Sequence, residues 1–218
     1  MYTITLISTR HQSLGKCNSE ELYQIIERIN PEVLFEEIPP TYFDKYYVEK
    51  SHSNLETDTI SRYIQHHEIN HIPVDSDNIP EEEFFKDYEH MIQRIENLAS
   101  VIGFDYRNLV DNNRSYIDRY GFEYLNSNHS ININKQINNV IENGLQKLDN
   151  DKLFQTFKLW NEVNEMRENH MLQNIYTYRK KHKYERAIFM IGAAHRNAII
   201  EKVANFDRIE NIKLNWIF

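Results

Sequence analysis

Side chains that could exchange protons or hold a cation recur in this sequence at one kind of place, directly after short apolar runs. Arg10 and His11 follow Tyr2–Ser8. Glu36 and Glu37 follow Val33-Leu34-Phe35. Asp75, with Asp77 nearby, follows Ile72-Pro73-Val74, and Gly192-Ala193-Ala194-His195-Arg196 follows Ala187–Ile191. If these runs are strands of one parallel sheet, their carboxyl ends share the edge at which open α/β sheets bind ligands. Histidine nitrogen and carboxylate oxygen together suit a divalent metal such as Zn, Mn or Co. The same groups serve equally as a metal-free base and acid pair. A glutamate abutting Val-Leu-Phe at a buried strand end needs a partner to offset its desolvation. Successive strand residues face opposite ways, so only one of Glu36 and Glu37 is expected to point into such a site.

Two further clusters compete for chemistry. In Glu165-Met166-Arg167-Glu168-Asn169-His170-Met171, Arg167 and Met171 share one helical face, and the arginine could meet a substrate carboxylate or developing negative charge. His67-Glu68-Ile69-Asn70-His71 has the letters of a zinc-protease motif, which works only with both histidines one turn apart on a helix. Pro73 biases Ile72 away from helix and Asn70 suits a helix end, so His71 is expected past the end and off the face of His67.

The elements that must position these groups read as follows. Tyr2–Ser8 is a strand, and Asn18-Ser19-Glu20-Glu21 opens a helix in which Leu22, Ile25, Ile26 and Ile29 share a face up to Asn30-Pro31. Val33–Phe35 is a buried strand, residues 55–68 a helix, and Ile72–Val74 a third strand. Beta-alpha-beta-alpha-beta implies parallel pairing with crossover helices. From Glu81 to about Lys183 the pattern is helical, with helices expected near 82–102, 107–120, 135–147 and 153–182, and a polar loop at 126–134. Strand character returns at 187–191, followed by a helix near 195–204 and a strand at 213–218. The expected fold class is therefore α/β. One domain spans 1–218, with a mostly parallel sheet built from both chain ends (about 1–80 and 184–218) and a helical cap over about 81–183.

Composition removes several functions. The 218 residues include only five glycines, none spaced as a phosphate-binding loop. A net charge of −8 opposes nucleic-acid binding. One cysteine, Cys17, permits no intrachain disulfide and no cysteine-based zinc site. No run approaches the ~18 apolar residues of a membrane helix, and the N-terminus lacks a signal peptide's basic region. A cytoplasmic protein with no membrane partner is expected.

The order strand–His11, strand–Glu36-Glu37, Arg167-Glu168-Asn169-His170-Met171 and Gly192-Ala193-Ala194-His195 resembles the TraB/PrgY–GumN–Tiki superfamily, related to erythromycin esterase-like and ChaN-like proteins. That group carries a first G-x-x-H, a glutamate after the second strand, R-[DN]-x-x-M and a late G-x-x-H. Here Ser8 replaces the first glycine and Glu168 the Asp or Asn, while the late motif is intact. The resemblance implies an α/β fold with a helical cap. Tiki-like members resemble metal-dependent peptidases, erythromycin esterase relatives are hydrolases without an obvious bound metal, and ChaN-like relatives bind haem.

The expected function is a metal-dependent hydrolase acting on a small-molecule or peptide substrate, cleaving an amide or related bond. His11, Glu36 and His195 hold a divalent metal (Mn, Co or Zn) or activate water. Glu37 or Asp75 orients a histidine or acts as general base, and Arg167 faces the substrate from the cap. The alternative is a non-catalytic module for metal, haem or a small ligand, served by Tyr42, Tyr46 and Tyr47 or by His170.

Overall fold

The computed structural model describes residues 2–78, 80–98 and 100–218. Five strands form one parallel sheet: β1 (Thr3–Thr9), β2 (Val33–Glu36), β3 (Asn70–Pro73), β4 (Arg186–Gly192) and β5 (Asn215–Ile217). Their spatial order is β3-β2-β4-β1-β5. Eight helices join them: α1 (Ser19–Ile29), α2 (Phe43–Tyr47), α3 (Leu55–Tyr63), α4 (Glu82–Glu96), α5 (Val101–Leu125), α6 (Asn128–Leu148), α7 (Asp151–Lys181) and α8 (Arg196–Glu210). The α/β class, the parallel pairing and the sheet drawn from both chain ends agree with the sequence reading. Among the described residues no helix is long and apolar enough to cross a membrane.

Side-chain alternation sorts the core into layers. In β4, Ala187, Phe189 and Ile191 pack with Met171, Leu172 and Ile175 of α7 and with Ile199 and Val203 of α8. Ile188 and Met190 point the other way, into a layer with Leu22 and Ile26 of α1 and Ile60 and Tyr63 of α3. A strand covered on both faces reads as a continuous apolar run, as 187–191 does. A third cluster, with Met91, Tyr106, Ile141, Leu145 and Phe157, holds α4 to α7 together above the sheet.

Several expected boundaries move. The helix from Leu55 stops at Tyr63 instead of Glu68. The third strand lies at Asn70–Pro73, on the sheet edge where a proline costs no ladder bond. The helix expected over 82–102 ends at Glu96, and another begins at Val101. The segment expected to be a polar loop, 126–134, is largely the first turns of α6. The Ser127 side chain caps it by accepting from the Ser130 N–H (3.2 Å). Asparagine is a weak helix former, but Ile133, Ile141 and Leu145 bury one face of α6, and tertiary packing outweighs local preference.

The end of β1 is held by side chains. β5 pairs with β1 only as far as Thr5↔Ile217. Beyond that, Asn126 acts as a substitute strand: its Oδ1 accepts from the Ser8 N–H (2.8 Å) and its Nδ2 donates to the Ser8 carbonyl (3.2 Å). Buried Arg196 donates from Nη1 to Asn126 Oδ1 (2.9 Å), the Leu6 carbonyl (3.3 Å) and Ser8 Oγ (3.3 Å). Asn126 is delivered there by a break in α5 at Gly121, whose φ of 55° suits glycine. A Cβ there would stand 2.6 Å from the Lys16 carbonyl oxygen. Replacing Asn126 by alanine strips partners from the Ser8 backbone. The expected loss is about 1–3 kcal/mol, the cost of an unsatisfied buried polar group, read from denaturant midpoints.

Candidate functional site

The parity of β2 decides which glutamate serves the site. Val33 and Phe35 pack in the α7/α8 layer and Leu34 in the α1/α3 layer. Continuing the alternation, Glu36 falls on the α1/α3 side and Glu37 on the α7/α8 side. Glu36 is buried there, accepting a short hydrogen bond from the Tyr47 hydroxyl, with His71 Nδ1 3.1 Å from Oε1. It has no hydrogen bond or ion pair with His11 or His195 among the described residues.

Glu37 enters a chain of alternating charge. Its Oε1 accepts from Arg167 Nη2 (2.6 Å) and its Oε2 from the Gly192 N–H (2.6 Å). Arg167 also grips Asp75, with Nη2 2.7 Å from Oδ2 and Nε 3.2 Å from each oxygen. Behind Glu37 stands His195, with Nε2 3.4 Å from Glu37 Oε1 and Nδ1 2.8 Å from Glu168 Oε1. Lys202 Nζ closes the row on Glu168 Oε2 at 2.8 Å. Gly192 serves close approach here: its φ is −56°, and a Cβ would lie 3.3 Å from Glu37 Oε2.

Burial and neighbours pull these groups in opposite directions. Burial alone pushes the Glu37 carboxyl up. His195, then Arg167 and the Gly192 N–H, reverse this and hold it below the usual range. Burial alone pushes His195 down, but Glu37 and Glu168 outweigh it and the imidazole is raised. Glu168 is lowered, its own burial being overcome by hydrogen bonds from His195 and Lys202. A carboxylate against each ring nitrogen favours the imidazolium form of His195, in which both nitrogens donate.

His11 sits differently. Its imidazole is 64% exposed and lines a cleft of about 490 Å³ together with Glu37, Asp75 and Arg167. The His11 carbonyl accepts from the Leu55 N–H (3.1 Å), which sets it beside the first turn of α3. There Glu56 is buried, its Oε1 lies 3.6 Å from His11 Nδ1, and neither carboxylate oxygen has a hydrogen-bond partner among the described residues. Glu56 is the main cause of a raised His11 pKa, ahead of the opposing desolvation. A cavity of about 20 Å³ adjoins it, lined by Thr9, His11, Glu36, Glu37 and Glu56 among others. Arg167 commits Nε and Nη2 to carboxylates, while Nη1 makes no hydrogen bond among the described residues.

Of the six residues singled out by sequence, Glu37, Asp75, Arg167 and His195 are thus brought into contact. His11 shares the cleft with Glu37, Asp75 and Arg167, and Glu36 is turned from that charged row towards Tyr47 and His71, meeting His11 only across the small cavity. A divalent metal on His11, Glu36 and His195 does not fit this donor set. Glu36 lies in the opposite layer, both nitrogens of His195 already face carboxylates, and a guanidinium holds the place between Glu37 and Asp75 where a cation would neutralise them. Among the described residues no group of three or more His, Cys, Asp or Glu is placed to hold a metal ion. Tyr42 and Tyr46 line the cleft, Tyr47 belongs to Glu36, and His170 is exposed outside the cleft lining. His67 lies in the turn beyond α3, stacked on Tyr63 at 4.0 Å, and His71 lies on β3. Glu56 and Lys202 escaped the sequence reading because a first-turn acid after an Asn cap and a lysine on a polar helix look ordinary. Glu168 appeared only as a motif departure.

Two outcomes follow. Arg167→Met leaves Glu37 and Asp75 as neighbouring uncompensated carboxylates. Breaking a fully buried pair costs about 3–5 kcal/mol; the quarter exposure of Arg167 places this variant at the lower end. The loss should shrink on acidification as Glu37 takes up a proton, seen in urea unfolding at several pH values. His195, raised in the folded state, stabilises the fold fully below its ordinary value of 6.5 and loses that contribution as pH rises through the raised value. Glu37 and Glu168, both lowered, contribute above their ordinary 4.5. The gap in melting temperature between the parent and His195→Gln should be widest between these values and narrow at alkaline pH.

Compared with known proteins, the chain matches no family model, no curated protein sequence and no solved structure.

Proposed function

We propose that the chain is a hydrolase that cleaves an ester or amide of a small-molecule or peptide substrate by acid–base chemistry in the 490 Å³ cleft. The observation that carries this is the pairing of an exposed imidazole, His11, with a buried carboxylate, Glu56, that has no hydrogen bond among the described residues, in a cleft also lined by the fixed guanidinium of Arg167, whose Nη1 is unbonded among those residues. Neutral His11 takes a proton from water as the oxygen attacks the substrate carbonyl carbon. Glu56 steadies the imidazolium that forms, and Arg167 Nη1 donates to the carbonyl oxygen as it becomes an oxyanion. The tetrahedral species collapses, the bond to the leaving group breaks, and His11 returns its proton to that group. Glu37 and Asp75 hold the guanidinium, and His195 with Glu168 and Lys202 holds Glu37. The motif order shared with the TraB/PrgY–GumN–Tiki superfamily supports hydrolysis, because the resemblance extends to erythromycin esterase-like hydrolases without an obvious metal. A binding module without turnover is the second reading, favoured by Tyr42 and Tyr46 in the cleft wall.

The base must be neutral to act. Turnover of p-nitrophenyl acetate should therefore rise with pH through a value above 6.5, and that limb should move to lower pH in Glu56→Gln. His11→Gln should lose about 10²–10⁴-fold, the usual contribution of a general base, and a chelator should leave the parent rate unchanged. Titration of the His11 ring by NMR checks the same shift without turnover. An unchanged rate in His11→Gln overturns the proposal, and no turnover with intact ligand binding favours the module.

A further inference from the structure

The wall of the cleft away from the charged row is built from aromatic rings on two separate parts of the chain. Tyr42 and Tyr46 come from the segment that follows Pro40, and Phe85 and Trp160 come from α4 and α7 of the inserted helices. The rings are braced from behind. Trp160 stacks on Tyr88 at 3.9 Å, Phe85 meets Trp160 edge-on at 6.4 Å, and His52 lies edge-on to both Tyr42 (6.2 Å) and Tyr46 (5.6 Å). Phe85 is 38% exposed. A large aromatic at a cleft mouth, braced by other rings yet left partly uncovered, offers contact area at little cost in side-chain entropy. At about 490 Å³ the cleft matches sites for a single small molecule. Its charged lining groups are His11, Glu37, Asp75 and Arg167.

We infer that the cleft takes a small ester or amide carrying a flat aromatic group, with the carbonyl at His11 and Arg167 and the ring between the tyrosine wall and the Trp160–Phe85 wall. This rests on the hydrolytic reading for the position of the carbonyl. The ring site itself rests on the aromatic walls alone. Flatness is the selective property, because offset-stacked and edge-to-face contacts with the rings need a planar partner.

The test compares ethyl 2-naphthylacetate with ethyl decalin-2-ylacetate, which share the reacting bond and the carbon skeleton and differ in flatness. The corresponding free acids serve as binding probes in calorimetry. The naphthyl ester should be favoured about tenfold or more in kcat/KM, and Tyr46→Leu and Trp160→Leu should bring the two esters toward parity. Equal turnover of both esters by the parent overturns the aromatic site and leaves hydrolysis standing. No turnover, with naphthylacetate binding at least tenfold tighter than decalinylacetate and that margin lost in both variants, sustains the ring site and overturns the hydrolytic reading. No turnover and no difference in binding overturns the aromatic site as well.

Discussion

The guanidinium of Arg167 lies between two buried carboxylates that belong to the sheet, Glu37 and Asp75, while its own backbone belongs to the inserted helices. Two carboxylates gathered at a strand edge repel each other, and water is largely excluded around them. A cation must reach them, and Arg167 reaches them from α7. Its planar fork meets Asp75 through two nitrogens and Glu37 through one, a geometry that a lysine could not reproduce. The pairing fixes where α7 sits over the sheet. It thereby fixes Glu168, one residue on, against His195, and Trp160, two turns back, in the wall of the cleft.

The charged row and the His11–Glu56 pair divide the site into a fully paired half and a half open to the cleft, to which the proposed reaction is assigned. From Asp75 to Lys202 each charge faces an opposite one, and the row includes a backbone N–H at Gly192. Such a row is satisfied and resists change in protonation. Among the described residues Glu56 has no equivalent partner beyond His11, and His11 is open to the cleft. A buried carboxylate with a single ionisable neighbour favours the charged form of that neighbour. This is the requirement for a base that must accept a proton and hold it for a moment.

Support for this arrangement comes from places without any chemistry of their own. Gly121 breaks α5 so that Asn126 arrives at the free edge of β1, where it takes over the hydrogen bonds that β5 is too short to make. Arg196, adjacent to His195, donates to the same strand end. The chain segments that carry the two histidines are therefore tied through one network, His11 just beyond β1 and His195 at the start of the helix beyond β4. Ser8, where the resembled superfamily has glycine, is part of that network through its backbone and its hydroxyl.

By itself the sequence determined the fold class and set charged residues at the strand ends. Apolar runs followed by His, Glu, Asp or Gly-x-x-His specified parallel strands with polar ends, because a strand buried on both faces must be apolar until it emerges. Asn18 and Asn30 marked the ends of α1 through their capping chemistry. Tertiary structure alone decided the rest. The choice between Glu36 and Glu37 depended on which residue of β2 faces α7, a matter of register that two adjacent identical letters do not record. Glu56 became a site residue through burial without a partner, which no local pattern encodes. The Asn-rich segment 126–134 became a helix start because α6 buries an isoleucine face that exists only once the other helices are in place. The expected metal ligands came apart for the same reason: the strand ends stand side by side as foreseen, but their side chains alternate between two layers, and the cation that joins the carboxylates is an arginine from the far side of the chain.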